Sequence, residues 1–405
     1  MYVNKLEKFL VEATLIDHTN DQVIDISSFI NSINVKKNYI TNSFPLFVIN
    51  LMTTEQVRDI MRDNEISVNI KVDKYSDSDS ETSEDTDEIP IIEERIIDTT
   101  IRIYDKPYAS TSSFKEEDDE NADSQSQVMQ VVPYQLSGIP EELIRKNEKV
   151  LNDVYESAKI NDVLVHLLSS VETNEIYIDN SDNSDRYASL LVPPLNIIPA
   201  VRYIQETYGI YKSSLGIFFD LDKAYLYKLF NKNRLHERTI EVITTPINDE
   251  ANDNKFLTPL VDENNNVRIH LKNTPDFQSF SKISDDVIGK TTVFNSYDYN
   301  FDVVRRVYNN PEVNSDKVRY YWNMSQGEMF EEKFLNENNQ ANEVTTLTLS
   351  NINPNYFTID NLYTFTTTTP YANGEYELIE NSFMIYTSDY VHYNSIVNLK
   401  LTKLK

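Results

Sequence analysis

The chain contains no cysteine and only six glycines among its 405 residues. Without thiols it can hold no disulfide, no thiol nucleophile and no cysteine-ligated zinc or iron–sulfur site. The scarcity of glycine argues against glycine-rich phosphate-binding loops, and the sequence has neither a Walker motif nor a G-x-S-x-G motif. These absences exclude several common classes of enzyme.

Positive charge and long apolar runs are also scarce. The sequence has 37 Lys and Arg residues against 65 Asp and Glu residues, which gives a net charge of −28. Surfaces that bind nucleic acid need basic patches, so we expect no stable nucleic-acid binding. No apolar run approaches the roughly 18 residues of a membrane span, and Glu7 and Glu12 interrupt the region where a signal peptide would be apolar. We therefore expect no membrane insertion and a protein that stays in the cytoplasm where it is made.

Patterns that carry catalytic or metal chemistry are missing as well. The five histidines are scattered singly, as His18, His166, His236, His270 and His392. None belongs to an H-E-x-x-H motif. The acidic stretches that start at Asp179 and Asp262 lack the glycine at the sixth position of a calcium loop, and no spacing singles out a carboxylate pair for glycoside cleavage. We expect no catalytic residues, no cofactor and no metal site.

The N-terminal segment reads as strands with one short helix. Strands are predicted at 9–18, 44–51, 66–75 and 95–104. A capping-box pattern from Thr53 to Gln56 predicts the start of a helix between them. The last two strands flank an acidic stretch, so we expect a long hairpin with a solvated loop at 75–93. A second polar stretch at 110–127 has the same composition; neither can bury enough apolar area to fold alone, and a cation site is the alternative reading.

The middle of the chain changes to helical spacing. Pro140 opens one helix with two glutamates at its positive end. Asn161 is expected to cap the next helix, and His166 falls on the polar side of that helix. The predicted buried face consists of Val163, Leu164, Leu167 and Leu168. A short strand, NEIYID, follows.

The next helix has a stiff entry. The proline pair that starts at Pro193 bars a regular helix or a central strand, because each proline fixes φ and lacks an N–H group. Asn196 can cap the helix, Pro199 is tolerated in its first turn and Gly209 closes it. The apolar face consists of Ile197, Val201, Ile204 and Tyr208.

The sequence LGIFFDLDKAYLYKLF then predicts a β-hairpin that turns at 220–223. Together the helix and the hairpin form a compact unit from Leu195 to Tyr227. Its candidate core residues are Ile197, Val201, Ile204, Phe218, Phe219 and Tyr225.

From about residue 238 the sequence is rich in Thr, Tyr, Val and Ile and contains eight strand-like segments. Turn-like stretches separate several of them. This spacing predicts a barrel or a sandwich. A chain of this length is too long for one ordinary core. We expect a mainly β fold with an α+β linker. In it, two barrel-like β domains, at 1–137 and 238–405, flank a helix–hairpin α/β domain at 138–237.

Three stretches in this order resemble the central baseplate hub proteins of contractile-tailed bacteriophages. Residues 13–52, from ATLIDH to FVINLM, are similar to the opening of the hub's first domain. The proline-led helix with its hairpin resembles the hub's linking unit. A strand with Gly374, Tyr376 and Leu378 is similar to the end of the last barrel. The acidic loops depart from the family pattern, and residues 245–340 match no part of it.

The resemblance implies a non-enzymatic structural protein of the virion, located in the tail baseplate and assembled in the host cytoplasm. It implies a homotrimer whose six barrel-like domains face the hexameric tail tube, while the other side holds a trimeric central spike. The expected partners are the tail tube or tube-initiator protein, the spike protein and other baseplate proteins. The prolines would then fix a docking platform. A receptor-binding or other tail structural protein is the alternative, and an acidic glycan hydrolase is a further one.

Overall fold

The structure is a computed structural model. It describes residues 3–4, 7–76, 91–106, 131–170, 175–212, 214–231, 233–244, 259–262, 266–271, 278–279, 291–297, 303–308, 318–322, 343–368, 370–387 and 392–404. The first strands are β1 (Val3–Asn4), β2 (Lys8–Asp17), β3 (Gln22–Asp25), β4 (Ile30–Asn38), β5 (Leu46–Thr54), β6 (Ile66–Ser76), β7 (Ile91–Asp105), β8 (Val131–Pro140), β9 (Val150–Lys159), β10 (Glu175–Ile178), β11 (Arg186–Asn196), β12 (Leu215–Phe219) and β13 (Lys223–Lys228). The later strands are β14 (Arg238–Thr244), β15 (Leu260–Val261), β16 (Val267–Leu271), β17 (Gln278–Ser279), β18 (Thr291–Tyr297), β19 (Val303–Tyr308), β20 (Val318–Trp322), β21 (Glu343–Ser350), β22 (Asn361–Thr366), β23 (Gly374–Thr387) and β24 (Tyr393–Lys403). The α-helices are α1 (Glu55–Asp63), α2 (Glu141–Glu148), α3 (Ile160–Ser169) and α4 (Ile197–Tyr208).

Eight strands hydrogen-bond in a closed ring, which we call the ring: β2, β4 to β8, β23 and β24. Its N-terminal part runs β4, β5, β8, β7, β6, β2, each strand antiparallel to the next. The last two strands of the chain complete it, because β23 pairs with β4 and β24 pairs with β23. β24 meets β2 where Tyr393 lies opposite Phe9. The first and last parts of the chain therefore share one sheet.

The same sheet continues beyond the ring into the C-terminal strands. β22 pairs with β23, and β14 runs parallel to both β22 and β16. On the other side β21 extends from β24. The strands β18, β19 and β20 form a separate sheet. The predicted mainly β fold with an α/β middle is confirmed, whereas the three domains with boundaries after 137 and 237 stay a prediction.

The hairpin of β6 and β7 follows from alternation of apolar and polar residues. Ile66, Val68, Ile70 and Val72 are all buried. The two strands pair antiparallel out to Ser76 opposite Ile91, so the predicted hairpin is confirmed. The acidic stretches lie outside the described residues for most of their length, at 77–90 and 107–130.

The middle unit, from α2 to β13, has a core of its own. α2, α3 and α4 pack with β9 to β13 around buried side chains that include the predicted helix face of Val163, Leu164, Leu167 and Leu168. A larger apolar cluster fills the ring and its extension. As expected, His166 is exposed. None of the helices in the described ranges is long and apolar enough to cross a membrane.

The stiff entry to α4 has the expected form. α4 begins after Asn196, and Gly209 follows it with a φ of 74°, a left-handed conformation that favours glycine. The proline pair lies in the two-stranded ribbon of β9 and β11, where the register shifts between Val192 and Leu195. A ribbon edge with a register shift tolerates the two missing N–H groups. The Asn196 side chain makes no capping hydrogen bond, so only its position was predicted correctly.

Two other predicted caps are wrong. α3 begins at Ile160, so Asn161 lies inside the helix, and its Oδ1 accepts a hydrogen bond from the Ser181 N–H at 3.0 Å. α1 begins after Thr54, which makes no side-chain cap, so the capping box from Thr53 is not formed. Each helix begins at the residue that follows the preceding strand, α1 after β5 and α3 after β9. The start of α1 is therefore one residue later, and the start of α3 two residues earlier, than the predicted caps indicate.

Candidate functional site

The six predicted core residues are buried, but they divide between two cores. Ile197, Val201, Ile204 and Phe219 lie in the core of the middle unit. Phe218 and Tyr225 lie in the cluster that fills the ring. Successive side chains of a strand point to opposite faces, so the β12–β13 hairpin is a layer with an apolar side toward each core. The role of these residues as a docking platform stays a prediction.

The hairpin is fastened to the turn between β4 and β5. The Phe218 ring meets the Tyr39 ring edge-on, with 4.8 Å between centroids. The Tyr227 O–H donates a hydrogen bond to the Tyr39 carbonyl oxygen, and the Phe219 N–H donates to the Ser43 carbonyl at 2.9 Å. Two aromatic side chains and two hydrogen bonds thus hold the middle unit against the ring.

A buried arginine makes a second set of contacts between the middle unit and the ring. Arg234 lies between β13 and β14, and its side chain is fully buried. Its Nε donates to Asp179 Oδ2 at 3.3 Å, and its guanidinium also donates to the carbonyls of Ile359, at 3.2 Å, and Lys228, at 2.7 Å. Nη1 lies 2.6 Å from Glu377 Oε1 on β23, an ion pair without hydrogen-bond alignment. One side chain therefore connects the middle unit, the segment before β22 and a strand of the ring. We call Arg234 with Asp179 and Glu377 the arginine clamp.

The electrostatics of this arginine clamp follow from burial. Burial raises the pKa of the Glu377 carboxyl, although the Arg234 charge works against that rise. Burial alone would lower the pKa of Arg234, but the Glu377 and Asp179 charges outweigh it and raise the pKa. The guanidinium carbon also lies 5.3 Å from the centroid of the Tyr227 ring. For His236 nearby, burial and the Arg234 charge lower the pKa of the imidazole.

A cleft of about 280 Å³ opens beside the hairpin turn, between β13 and the ring; we call it the Lys223 cleft. Lys223 Nζ lies 2.7 Å from Asp360 Oδ2, 2.5 Å from Glu237 Oε1 and 3.6 Å from Glu175 Oε2. At its edge a further ion pair joins Lys37 on β4 to Asp220 in the hairpin turn, at 2.7 Å.

These contacts hold parts of the chain together, and sequence reasoning missed them. Within the described residues, no three His, Asp or Glu side chains lie close enough to hold a metal ion. Asp179 belongs to a stretch with some features of a calcium loop, yet its oxygens accept hydrogen bonds from Tyr177, Asn231 and Arg234. No local signal identifies this set, since Glu377 is remote in sequence from both Arg234 and Asp179.

The fold and the site define a mainly β protein in which a small α/β unit is fastened to a ring of strands by buried contacts. Residues 7–401 match the model of the family described as the Bacteriophage PBS1 gene 109 protein, and the chain belongs to that family. The predicted relationship to bacteriophage proteins is thereby confirmed. A search of curated proteins found no match.

Among solved structures, the fold is similar to tail proteins over nearly the whole chain. A tail protein from Neisseria meningitidis is 8% identical with a TM-score of 0.47, and 96% of each chain is covered. A 43 kDa tail protein of prophage MuSo2 from Shewanella oneidensis is 8% identical with a TM-score of 0.49 and the same coverage. A prophage tail protein from Listeria monocytogenes is 9% identical with a TM-score of 0.44, covering 96% of this chain and 94% of the other. At these identities the likeness concerns the fold alone.

Proposed function

We propose that the protein is a structural component of the phage tail, and specifically the central baseplate hub that joins the hexameric tail tube to the trimeric central spike. Membership of a bacteriophage family over residues 7–401 supports a phage role. The three stretches that resemble hub proteins, in the same order along the chain, support the specific assignment.

The observation that carries the proposal is the arginine clamp with the hairpin contacts beside it. Domains in one chain usually move relative to each other unless their interface is large and apolar. Here the buried ion pair of Arg234 with Glu377 and the edge-on contact of the Phe218 and Tyr39 rings oppose such motion. A hub must transmit load between tube and spike without internal rotation, and a fastened middle unit suits that task.

The hub would act without catalysis as a homotrimer in the virion baseplate, after assembly in the host cytoplasm. Its partners would be the tube or tube-initiator protein, the spike protein and other baseplate proteins. Three chains at −28 each carry 3 × −28 = −84 charges. Such a surface repels passing DNA, so the trimer would bind neither nucleic acid nor membrane stably.

Sedimentation of the purified chain, alone and with the tube and spike proteins of the same phage, tests the proposal. We expect a trimer that strengthens as salt screens the repulsion, a ternary complex with both partners, and no retention of DNA at low salt. A chain that stays monomeric at high concentration and high salt, and that binds neither partner, would contradict the hub assignment.

Imaging of phage particles that carry a tagged copy of the chain separates the alternatives. A hub gives density on the tail axis, between tube and spike. Density at the periphery of the baseplate would favour a receptor-binding or other tail structural protein. Clearance of a glycan substrate by the purified chain would favour the hydrolase.

A further inference from the structure

The Lys223 cleft has the size and lining of a site for one long side chain. Its volume of about 280 Å³ lies just below the range of roughly 300–1,000 Å³ that is usual for pockets that bind small molecules. Phe47 and Phe383 contribute apolar lining, and carboxylates from the hairpin and from the segments that flank β14 and β22 contribute polar lining. An apolar wall next to acidic groups suits a side chain with a methylene stem and a cationic head.

The lining carries more negative charge than its own basic groups can balance. Among the described residues, five carboxylates and three basic side chains line the cleft, so acidic groups outnumber basic groups by two. Lys223 alone is shared by Asp360, Glu237 and Glu175. A single ammonium has three donors and one charge, so it cannot neutralise three carboxylates.

One of these carboxylates also has an oxygen without a partner. Asp360 is only 2% exposed. Its Oδ2 accepts a hydrogen bond from Lys223, while its Oδ1 has no hydrogen-bond partner among the described residues. An unsatisfied buried acceptor is unfavourable, and it belongs to a residue that lines the cleft.

We infer that the Lys223 cleft binds a basic side chain, arginine in preference to lysine, from a protein partner of the tail. The inference rests on the proposed function and adds the chemistry of one partner contact. A guanidinium offers five N–H donors, stacks on aromatic rings and is less strongly hydrated than an ammonium. An acidic chain also attracts basic partner surfaces over a distance, and the cleft gives that attraction a fixed site.

Calorimetric titration of the full chain with N-acetyl-arginine amide tests the inference, and N-acetyl-citrulline amide serves as the neutral isostere. We expect the arginine probe to bind with a Kd on the order of 1 mM. The citrulline probe should bind at least about tenfold more weakly, because it lacks the charge that the carboxylates recognise. Arginine binding should also weaken with added salt.

Variants then locate the site. Glu237→Gln and Asp360→Asn should each weaken arginine binding at least about fivefold, since each removes one negative charge. Glu241→Gln is the matched control: Glu241 pairs with Arg268 and does not line the cleft, so binding should not change. Glu237 is exposed, so Glu237→Gln should keep the fold. If Asp360→Asn unfolds the chain, the Glu237 variant alone tests whether the cleft binds arginine.

Equal binding of the two probes, or unchanged arginine binding in Glu237→Gln, would overturn the inference. Its failure is distinguishable from failure of the hub assignment. A chain that forms the tube–spike complex but does not prefer arginine over citrulline lacks the site, whereas a chain with that preference but no such complex is not the hub.

Discussion

Replacement of Arg234 by methionine should loosen the attachment of the middle unit to the ring. Asp179 and Glu377 would stay buried and lose their counter-charge, and breaking a buried ion pair in this way costs about 3–5 kcal/mol of unfolding free energy. Asp179 keeps hydrogen bonds from the Tyr177 hydroxyl and the Lys228 N–H. Most of the lost unfolding free energy should therefore come from the unpaired carboxylate of Glu377, which is 1% exposed. Urea unfolding of the full chain, followed by far-UV circular dichroism, measures it.

A second substitution tests whether the two charges are coupled. In the Arg234→Met background, Glu377→Gln removes the charge left unpaired and should recover about 1–3 kcal/mol. Arg102→Met is the control, because Arg102 and Glu65 form an exposed ion pair at 3.3 Å that should contribute less than about 1 kcal/mol. If Arg234→Met costs no more than this control, or if Glu377→Gln adds a further loss, the clamp does not stabilise the junction.

Three further predictions concern other parts of the molecule. Val201→Asp would place an unpaired charge in the core of the middle unit and should cost roughly 3–5 kcal/mol, whereas the exposed neighbour Arg202→Ala should leave the melting temperature nearly unchanged; equal tolerance would mean that this face is not packed. Replacement of residues 77–90 by Asn-Gly should change stability by less than about 1 kcal/mol, because β6 and β7 are already paired at both ends of the segment; a large drop in melting temperature would show that the segment is packed. The pKa of His236 is lowered from 6.5 in the folded chain, so the stability it contributes is complete above about pH 6.5 and is lost as the pH falls through its folded pKa. His236→Gln should remove part of this loss in urea titrations between about pH 7.5 and pH 5.5; an unchanged pH dependence in this variant would contradict the prediction.

Local chemistry made the elements predictable. Alternation of apolar and polar residues is sufficient to place β6 and β7, and the apolar spacing with the closing Gly209 places α4 to within a residue. Each of these signals depends on neighbours fewer than ten positions away. The start of α3 at Ile160 was missed by two residues, because the helix begins directly after β9 and Asn161 does not cap it.

Long-range pairing was not predictable from the same signals. No residue pattern in β4 or β23 identifies the strand with which it pairs, because the backbone groups that form the hydrogen bonds are the same for every sequence. The arginine clamp is similar: Arg234, Asp179 and Glu377 are unremarkable charged residues in an acidic chain until the fold brings them together. Composition correctly indicated that the protein is mainly β, but it could not identify which of 65 acids would be buried.

Ring closure by the last two strands has a consequence for how the chain is made. Asn38 and Glu380 are 342 positions apart in sequence and hydrogen-bonded in the fold. At a synthesis rate of ~5–20 residues per second, the ribosome needs roughly 20–70 s to go from one to the other. Throughout that interval β4 has at most one of its two sheet neighbours, β5, and an open strand edge is prone to pair with other chains. Nascent chains, and any chain truncated before β23, would therefore need protection by a chaperone until the final residues emerge.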